Sequence, residues 1–314
     1  MFARRDHRER DRLHGFTLVE AIVAISILSI LVAVLLPAIQ MARESARVAQ
    51  CRSHLHQIAV ATANYEAVWG AYPTFFPDPT FLALLPYLEA DPYYREILAF
   101  KAMPSRTRPR QFVPAASPPS VYRCPSSGDE HSYNVNFGVG VENTPYLEFP
   151  ANGFCCGTLK SPLGPRDISD GLSHTAAYSE HLQTWPSLDD DSRMDKMRFS
   201  WSVTAPFPNP STVSLVVKEC ARVQMTREKR SFGINASATY GSEQYNHFMP
   251  PNSFNCHEDD GGQLQNFITT ASSEHTGFVN VAFSDGHVRD VADAVNLDVW
   301  HAIGTRNENE KVDF

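Results

Sequence analysis

Apolar residues are distributed along this chain in three successive regimes. Across residues 16–36 they are nearly continuous, interrupted only by Thr17, Glu20, Ser26 and Ser29; a run of about 20 such residues is the length a helix needs to cross the hydrocarbon core of a bilayer. After Pro37, in a stretch without glycine or proline, they recur in steps of three and four at Val48, Cys51, Leu55, Ile58, Thr62, Tyr65 and Trp69, the seam of one helical face. Beyond Gly70 they fall into short alternating or β-branched runs. The first two regimes predict one helix over about 17–69, roughly 80 Å long at 1.5 Å per residue. Pro37 should bend or loosen it, and Gly70 and Pro73 end it. Its first half is apolar all round and belongs in lipid or in the core of a filament. Its second half has a single greasy stripe, which calls for docking on the chain's own sheet or for a self-associating coiled coil.

The third regime predicts two short helices within 79–100 and a proline-rich loop over 104–119. Strands are expected at 132–139, 174–180, 198–203, 212–217 and 278–283, and helices at 219–229 and 293–303. Strands this far apart, with irregular connections, argue for an α+β domain built on an antiparallel sheet rather than for a βαβ array.

Charge adds a direction. Arg4, Arg5, Arg8, Arg10 and Arg12 precede the apolar run, partly offset by Asp6, Glu9 and Asp11, while the whole chain carries a net charge of -8. The arginine-rich flank stays in the cytoplasm and places the chain beyond residue 36 on the far side. An acidic chain with no later basic cluster is not a nucleic-acid binder. The six cysteines, Cys51, Cys124, Cys155, Cys156, Cys220 and Cys256, form an even set that an exported chain can oxidise. At least one bridge is expected among Cys124, Cys155, Cys156, Cys220 and Cys256, with free buried thiols as the alternative.

Glu20 does not suit a plain anchor, because an ionised carboxylate in lipid costs about 2.5–3.5 kcal/mol or more. A cut between Gly15 and Phe16 would create a positive α-amino group four residues before it. The stretch Gly15-Phe16-Thr17-Leu18-Val19-Glu20 resembles the cleavage and methylation site of type IV prepilins and pseudopilins. That resemblance implies a prepilin peptidase that cuts after Gly15 and methylates Phe16, and a glutamate, Glu20, that guides docking among other pilin-like subunits. An ordinary secretory signal peptide fits less well, since its apolar core is only about 7–15 residues long.

Near the other end, Asp285-Gly286 between two β-rich segments signals a hairpin with a type I′ turn. His275, Asp285 and His287 tempt a metal reading, yet His275 and Asp285 fall near opposite ends of one strand, about 20–30 Å apart at 3.3 Å per residue. The same segment, a histidine, nine residues and then Asp285-Gly286, resembles the C-terminal motif of the planctomycete-type family known as domain of unknown function 1559. Shorter stretches agree in order: 84–89, 122–126, 168–175, 251–253 with Cys256, and 304–306. The resemblance implies a type IV pilin-like protein, with its long transmembrane helix packed on an antiparallel β-sheet domain with large loops. It supplies no activity.

Other candidates are thinner. Glu258, Asp259 and Asp260 read as an acidic turn that could hold Ca²⁺, as loops of secreted pseudopilins do. His54 and His56 point to different helix faces. His174, Glu180 and His181 lie by a strand without any hydrolase motif, and no phosphate-binding glycine loop occurs. The expectation is therefore no enzyme and no established cofactor. The chain divides into a leader over 1–15, a long helix over 16–69 with 16–36 in the membrane, and an extracytoplasmic domain over 70–314. It is expected in the inner membrane, N-terminus in the cytoplasm, as a subunit of a pilus-like or type II secretion-like filament. The alternative is a tethered binding protein or hydrolase that borrows the prepilin route as an anchor.

Overall fold

The computed structural model describes residues 17–74, 80–104, 115, 118–129, 131–139, 152–154, 162–182, 200–203, 217–218, 220–221, 244–260 and 263–308. The chain forms two compact units, Met1–Ala46 and Arg47–Phe314. Helix α1 (Leu18–Trp69) continues through Pro37. In the first unit none of its residues is buried, and Leu18, Ile22, Ile25, Leu28, Leu31 and Leu35 are all exposed. It is the one described helix long and apolar enough to cross a membrane.

The second unit is an α+β domain. Its larger sheet has five strands: β1 (Tyr133–Gly138), β2 (Ala176–Glu180), β4 (Gln244–Asn246), β7 (Phe278–Phe283) and β8 (Val288–Ala292), in the order β4-β1-β2-β7-β8. The pairs β1/β2, β2/β7 and β7/β8 are antiparallel, but β4 joins β1 in parallel. A smaller sheet, β3-β5-β6, is also mixed: β3 (Ser200–Val203) runs parallel to β5 (Asn255–Asp260), and β6 (Gln263–Ile268) antiparallel to it. Two mixed sheets thus replace the expected antiparallel one. Short polar β4, Gln244-Tyr245-Asn246, has no alternation to mark it, and a parallel pairing only needs a long return connection.

Both faces of the larger sheet are covered. On one lie Cys51, Leu55, Ile58 and Ala61 of α1, clustered with Tyr133, Val135, Phe137, Tyr178 and Ala282. The helical stripe therefore docks on the chain's own sheet. Thr62 Oγ1 lies 2.7 Å from the Tyr178 hydroxyl in that interface. On the other face, Ala176, Tyr245, Val279, Val281 and Phe283 pack with Trp300 and Ile303 of the last helix, α4 (Leu297–Gly304). Strand β7 deals its residues to the two sides alternately, as a pleat requires. A register shift between Ala176 and Tyr178 lets β2 turn Ala176 to one side and Tyr178 to the other. Covering on both faces explains why β1 and β2 are buried throughout. The buried asparagines among them are satisfied: Asn136 donates to the carbonyls of Ala176 and Gly304 and accepts from Gly138 N–H.

The expected helical region over 79–100 resolves into α2 (Thr80–Leu84), a 3-10 turn (Leu85–Leu88) and α3 (Asp91–Ala102). Most of the strand expected at 212–217, of the helix expected at 219–229 and of the proline-rich loop lies outside the described residues, and residue 217 is helical rather than extended. Residues 217–218 and 220–221 are helical. The β7–β8 hairpin forms, though not through a type I′ turn: of Asp285 and Gly286 only Gly286 has positive φ, at 92°. Gly286 N–H donates to Phe283 O and Phe283 N–H to His287 O, so a longer loop with one left-handed glycine closes the hairpin.

Two disulfides are present among the described residues. Cys220–Cys256 ties the helical residues near 220 to β5, and Cys51–Cys124 ties α1 to the segment before β1. Cys51 stood outside the expected set because it fits the apolar seam of α1 equally well. Cys155 and Cys156 lie outside the described residues.

Candidate functional sites

Two places concentrate polar chemistry in apolar surroundings. The first is the start of α1. Thr17 precedes the first helical residue, Leu18, and its hydroxyl accepts from Glu20 N–H at 3.3 Å. The Glu20 carboxylate accepts in return from Thr17 N–H at 2.9 Å and from the Thr17 hydroxyl at 2.7 Å. This is the reciprocal capping box of a helix N-terminus, which satisfies donors that otherwise have no partner. The carboxylate that charge reasoning singled out thus already has two partners within its own turn. Gly15 and Phe16 lie outside the described residues.

The second place lies between α1 and the larger sheet. Glu180 ends β2, His275 precedes β7, and the Cys51–Cys124 bridge stands beside them. His275 Nε2 is 3.4 Å from Glu180 Oε1. Cys124 Sγ is 3.7 Å from His275 Nε2 and 3.9 Å from Glu180 Oε1. All four residues are buried, Glu180 at only 2% exposure. A carboxylate so deep needs several partners. Asn280 on β7 provides two, its backbone N–H to Oε2 at 2.9 Å and its amide to Oε1 at 3.0 Å. Arg52 Nε then donates to Asn280 Oδ1 at 2.9 Å, and the Arg52 guanidinium reaches Asp290 at 2.8 Å. The polar chain therefore runs from the buried histidine outward to the surface through β2, β7, α1 and β8.

Neighbouring groups register this environment. Burial, and then the Glu180 carboxylate, push the Tyr133 phenol far above its usual range. Burial holds the His54 imidazole below its ordinary value, opposed by the hydrogen bond to Arg123 O. A buried imidazole–carboxylate pair beside two cysteines is a donor set that can ligate a metal.

The structure distributes the sequence candidates widely. His275 enters the buried cluster, whereas Asp285 and His287 pair with each other at 2.6 Å in the exposed hairpin loop. His54 faces the interior, while His56 lies 2.8 Å from Gly286 O. His174 is exposed beside Ser173, and His181 turns to Thr270 O. Glu258, Asp259 and Asp260 occupy successive positions on strand β5 rather than a turn; their side chains lie outside the described residues. Asn280 is the site residue that the sequence did not reveal; Cys124 stood in the expected disulfide set, and Cys51 was read as part of the apolar seam of α1. Parity was the available signal for Glu180, since it shares a face with Tyr178 on a strand whose other residues are small or apolar.

The family model described as protein of unknown function (DUF1559) matches residues 40–298. The model described as prokaryotic N-terminal methylation motif matches residues 10–36. No curated protein and no solved structure matches the chain. Motif and apolar helix together make this a prepilin-like exported protein anchored in a membrane.

Proposed function

We propose, for a chain that belongs to the DUF1559 family of proteins of unknown function and carries the prokaryotic N-terminal methylation motif, a role as a subunit of a type IV pilus-like or type II secretion-like filament. In this reading a prepilin peptidase cuts between Gly15 and Phe16 and methylates the new terminus. The apolar half of α1 first resides in the inner membrane, with the arginine-rich leader in the cytoplasm and the second unit outside. It then packs against the helices of other pilin-like subunits. The observation that carries the reading is an apolar helix segment with no residue buried, opening on a carboxylate. In lipid that carboxylate is a liability, while beside a positive Phe16 amine in a bundle of apolar helices much of the cost is removed. The reading includes no catalysis: the Glu180–His275 pair is sealed in the core, and the Asp285–His287 pair in the hairpin loop belongs to no recognised hydrolase motif.

N-terminal sequencing of the membrane-extracted protein tests the first step, with Phe16 expected as the first residue and a start beyond residue 36 overturning the reading. Gly15→Val should leave the uncut precursor in the membrane. Glu20→Ala should leave anchoring intact and remove the high-mass assemblies released by shearing cells. Undiminished assemblies from that variant would remove Glu20 from the mechanism.

A further inference from the structure

The geometry around Cys51–Cys124 suits a second chemical state. Each of Cys51, Cys124, Glu180 and His275 offers one ligand atom, and these four atoms lie within 4.8 Å of one another. The His275–Glu180, Cys124–His275 and Cys124–Glu180 contacts measure 3.4, 3.7 and 3.9 Å. A tetrahedral zinc centre, with bonds of about 2.3 Å to sulfur and 2.0–2.1 Å to nitrogen and oxygen, has edges of roughly 3.4–3.8 Å. Cys124 Sγ, His275 Nε2 and Glu180 Oε1 thus already stand near three corners of such a tetrahedron, and Cys51 Sγ, bonded to Cys124 Sγ, lies within 4.8 Å of the other two. Breaking the sulfur–sulfur bond and parting the two sulfurs to roughly 3.8 Å would bring Cys51 to the fourth corner.

The supporting shell is in place. Asn280 holds the carboxylate through its N–H and its amide, and Arg52 fixes that amide in turn; outer partners of this kind orient ligands at metal sites. The four ligands come from α1, the segment before β1, the end of β2 and the segment before β7. A cation there would tie together the same elements as the disulfide.

We propose that reduced Cys51 and Cys124, together with Glu180 and His275, form a structural Zn²⁺ site, so that the domain is closed by a disulfide in one redox state and by a thiophilic divalent cation in the other. The change balances with a dithiol as reductant. The dithiol gives two electrons and two protons, the S–S bond of Cys51–Cys124 breaks to two thiols, and the dithiol leaves as its own disulfide. Zn²⁺ then displaces both thiol protons and takes the two thiolates, His275 Nε2 and Glu180 Oε1. Four protein ligands leave no open position, which marks a structural centre rather than a catalytic one. The inference does not depend on filament assembly.

The test uses the full chain in detergent, reduced with a phosphine, freed of metal and titrated with Co²⁺. Reduced protein should develop the visible bands of tetrahedral cobalt and a thiolate charge-transfer band, both lost on adding Zn²⁺. Oxidised protein and the Cys51→Ser/Cys124→Ser variant should show neither. Because that variant could lose its fold, X-ray absorption of the zinc-loaded wild type provides an independent measure, with a shell of two sulfurs and two lighter atoms expected. His275→Cys should raise the sulfur count to three. An unchanged count in that variant, a four-sulfur or sulfur-free shell, or a charge-transfer band that persists without Cys51 and Cys124 would each overturn the proposal.

Discussion

Acid should weaken this domain through its buried neutral histidines, most strongly His131 and His247, and His131 allows the effect to be isolated. Its ring is caged by Phe81 at 4.5 Å and Tyr122 at 5.3 Å, and among the described residues its Nε2 has no hydrogen-bond partner. Burial lowers its pKa to about 4. His247 lies between Tyr245 and Trp300 and is lowered to about 3, again by burial. A histidine whose folded pKa is depressed contributes stability that is complete above its unfolded value and is lost as pH falls toward the folded one. The window therefore runs from the ordinary value of 6.5 down to about 4 for His131 and about 3 for His247. Between about pH 7 and pH 5, linkage gives a loss of about 2 kcal/mol for each. His131→Phe keeps a ring in the cage and removes one titration, so its share, about 2 kcal/mol of the histidine-driven loss, should vanish. Urea unfolding of the detergent-solubilised chain, followed by tryptophan fluorescence at both pH values, measures this directly. The variant should also match or exceed wild type near neutrality, because an unsatisfied buried nitrogen disappears. An undiminished acid slope in His131→Phe would show that the ring titrates normally in the fold and would refute the reasoning.

Packing sets two further outcomes. Leu55→Ala or Ile58→Ala, at fully buried positions of α1, should cost about 2–5 kcal/mol, whereas Val60→Ala on the exposed side of the same helix should stay within about 0.5 kcal/mol; urea midpoints separate the two. Gly304→Ala would press a methyl group into the ring of His247, which Trp300 already confines at 3.9 Å. A loss of about 1–3 kcal/mol is expected, read as a lowered thermal midpoint.

Legibility in the sequence tracked how strongly local pattern and tertiary need coincided. Helix α1 was plain because its apolar run and its seam at Cys51, Leu55 and Ile58 each state a burial requirement. Strand β7 and its hairpin were plain because Phe278-Val279 and Asp285-Gly286 carry strand and turn preferences side by side. Strands β4, β5 and β6 were hidden, since Gln244-Tyr245-Asn246 and Asn255-Cys256-His257-Glu258-Asp259-Asp260 look like loop until a sheet edge pairs with them. The buried cluster was hidden for a related reason. A glutamate at a strand end reads as solvated, and only the placement of Asn280, Arg52 and His275 around it makes the interior tolerable. The capping role of Thr17 went unseen because Glu20 drew attention as a charge rather than as the third residue of a helix.

The interval between His275 and Asp285-Gly286 acts as a gauge. At one end His275 meets the sulfur bridge rooted in α1 at Cys51, and at the other Gly286 O meets α1 again at His56. Strand β7 is the bar between these two stops. Inserting one residue into it would exchange its faces, carrying Asn280 away from Glu180 and into the apolar layer around Trp300. Inserting two would keep the faces but displace the loop from His56 by roughly 7 Å. Chemistry at the intervening positions can therefore vary within the demands of each face, while their number cannot.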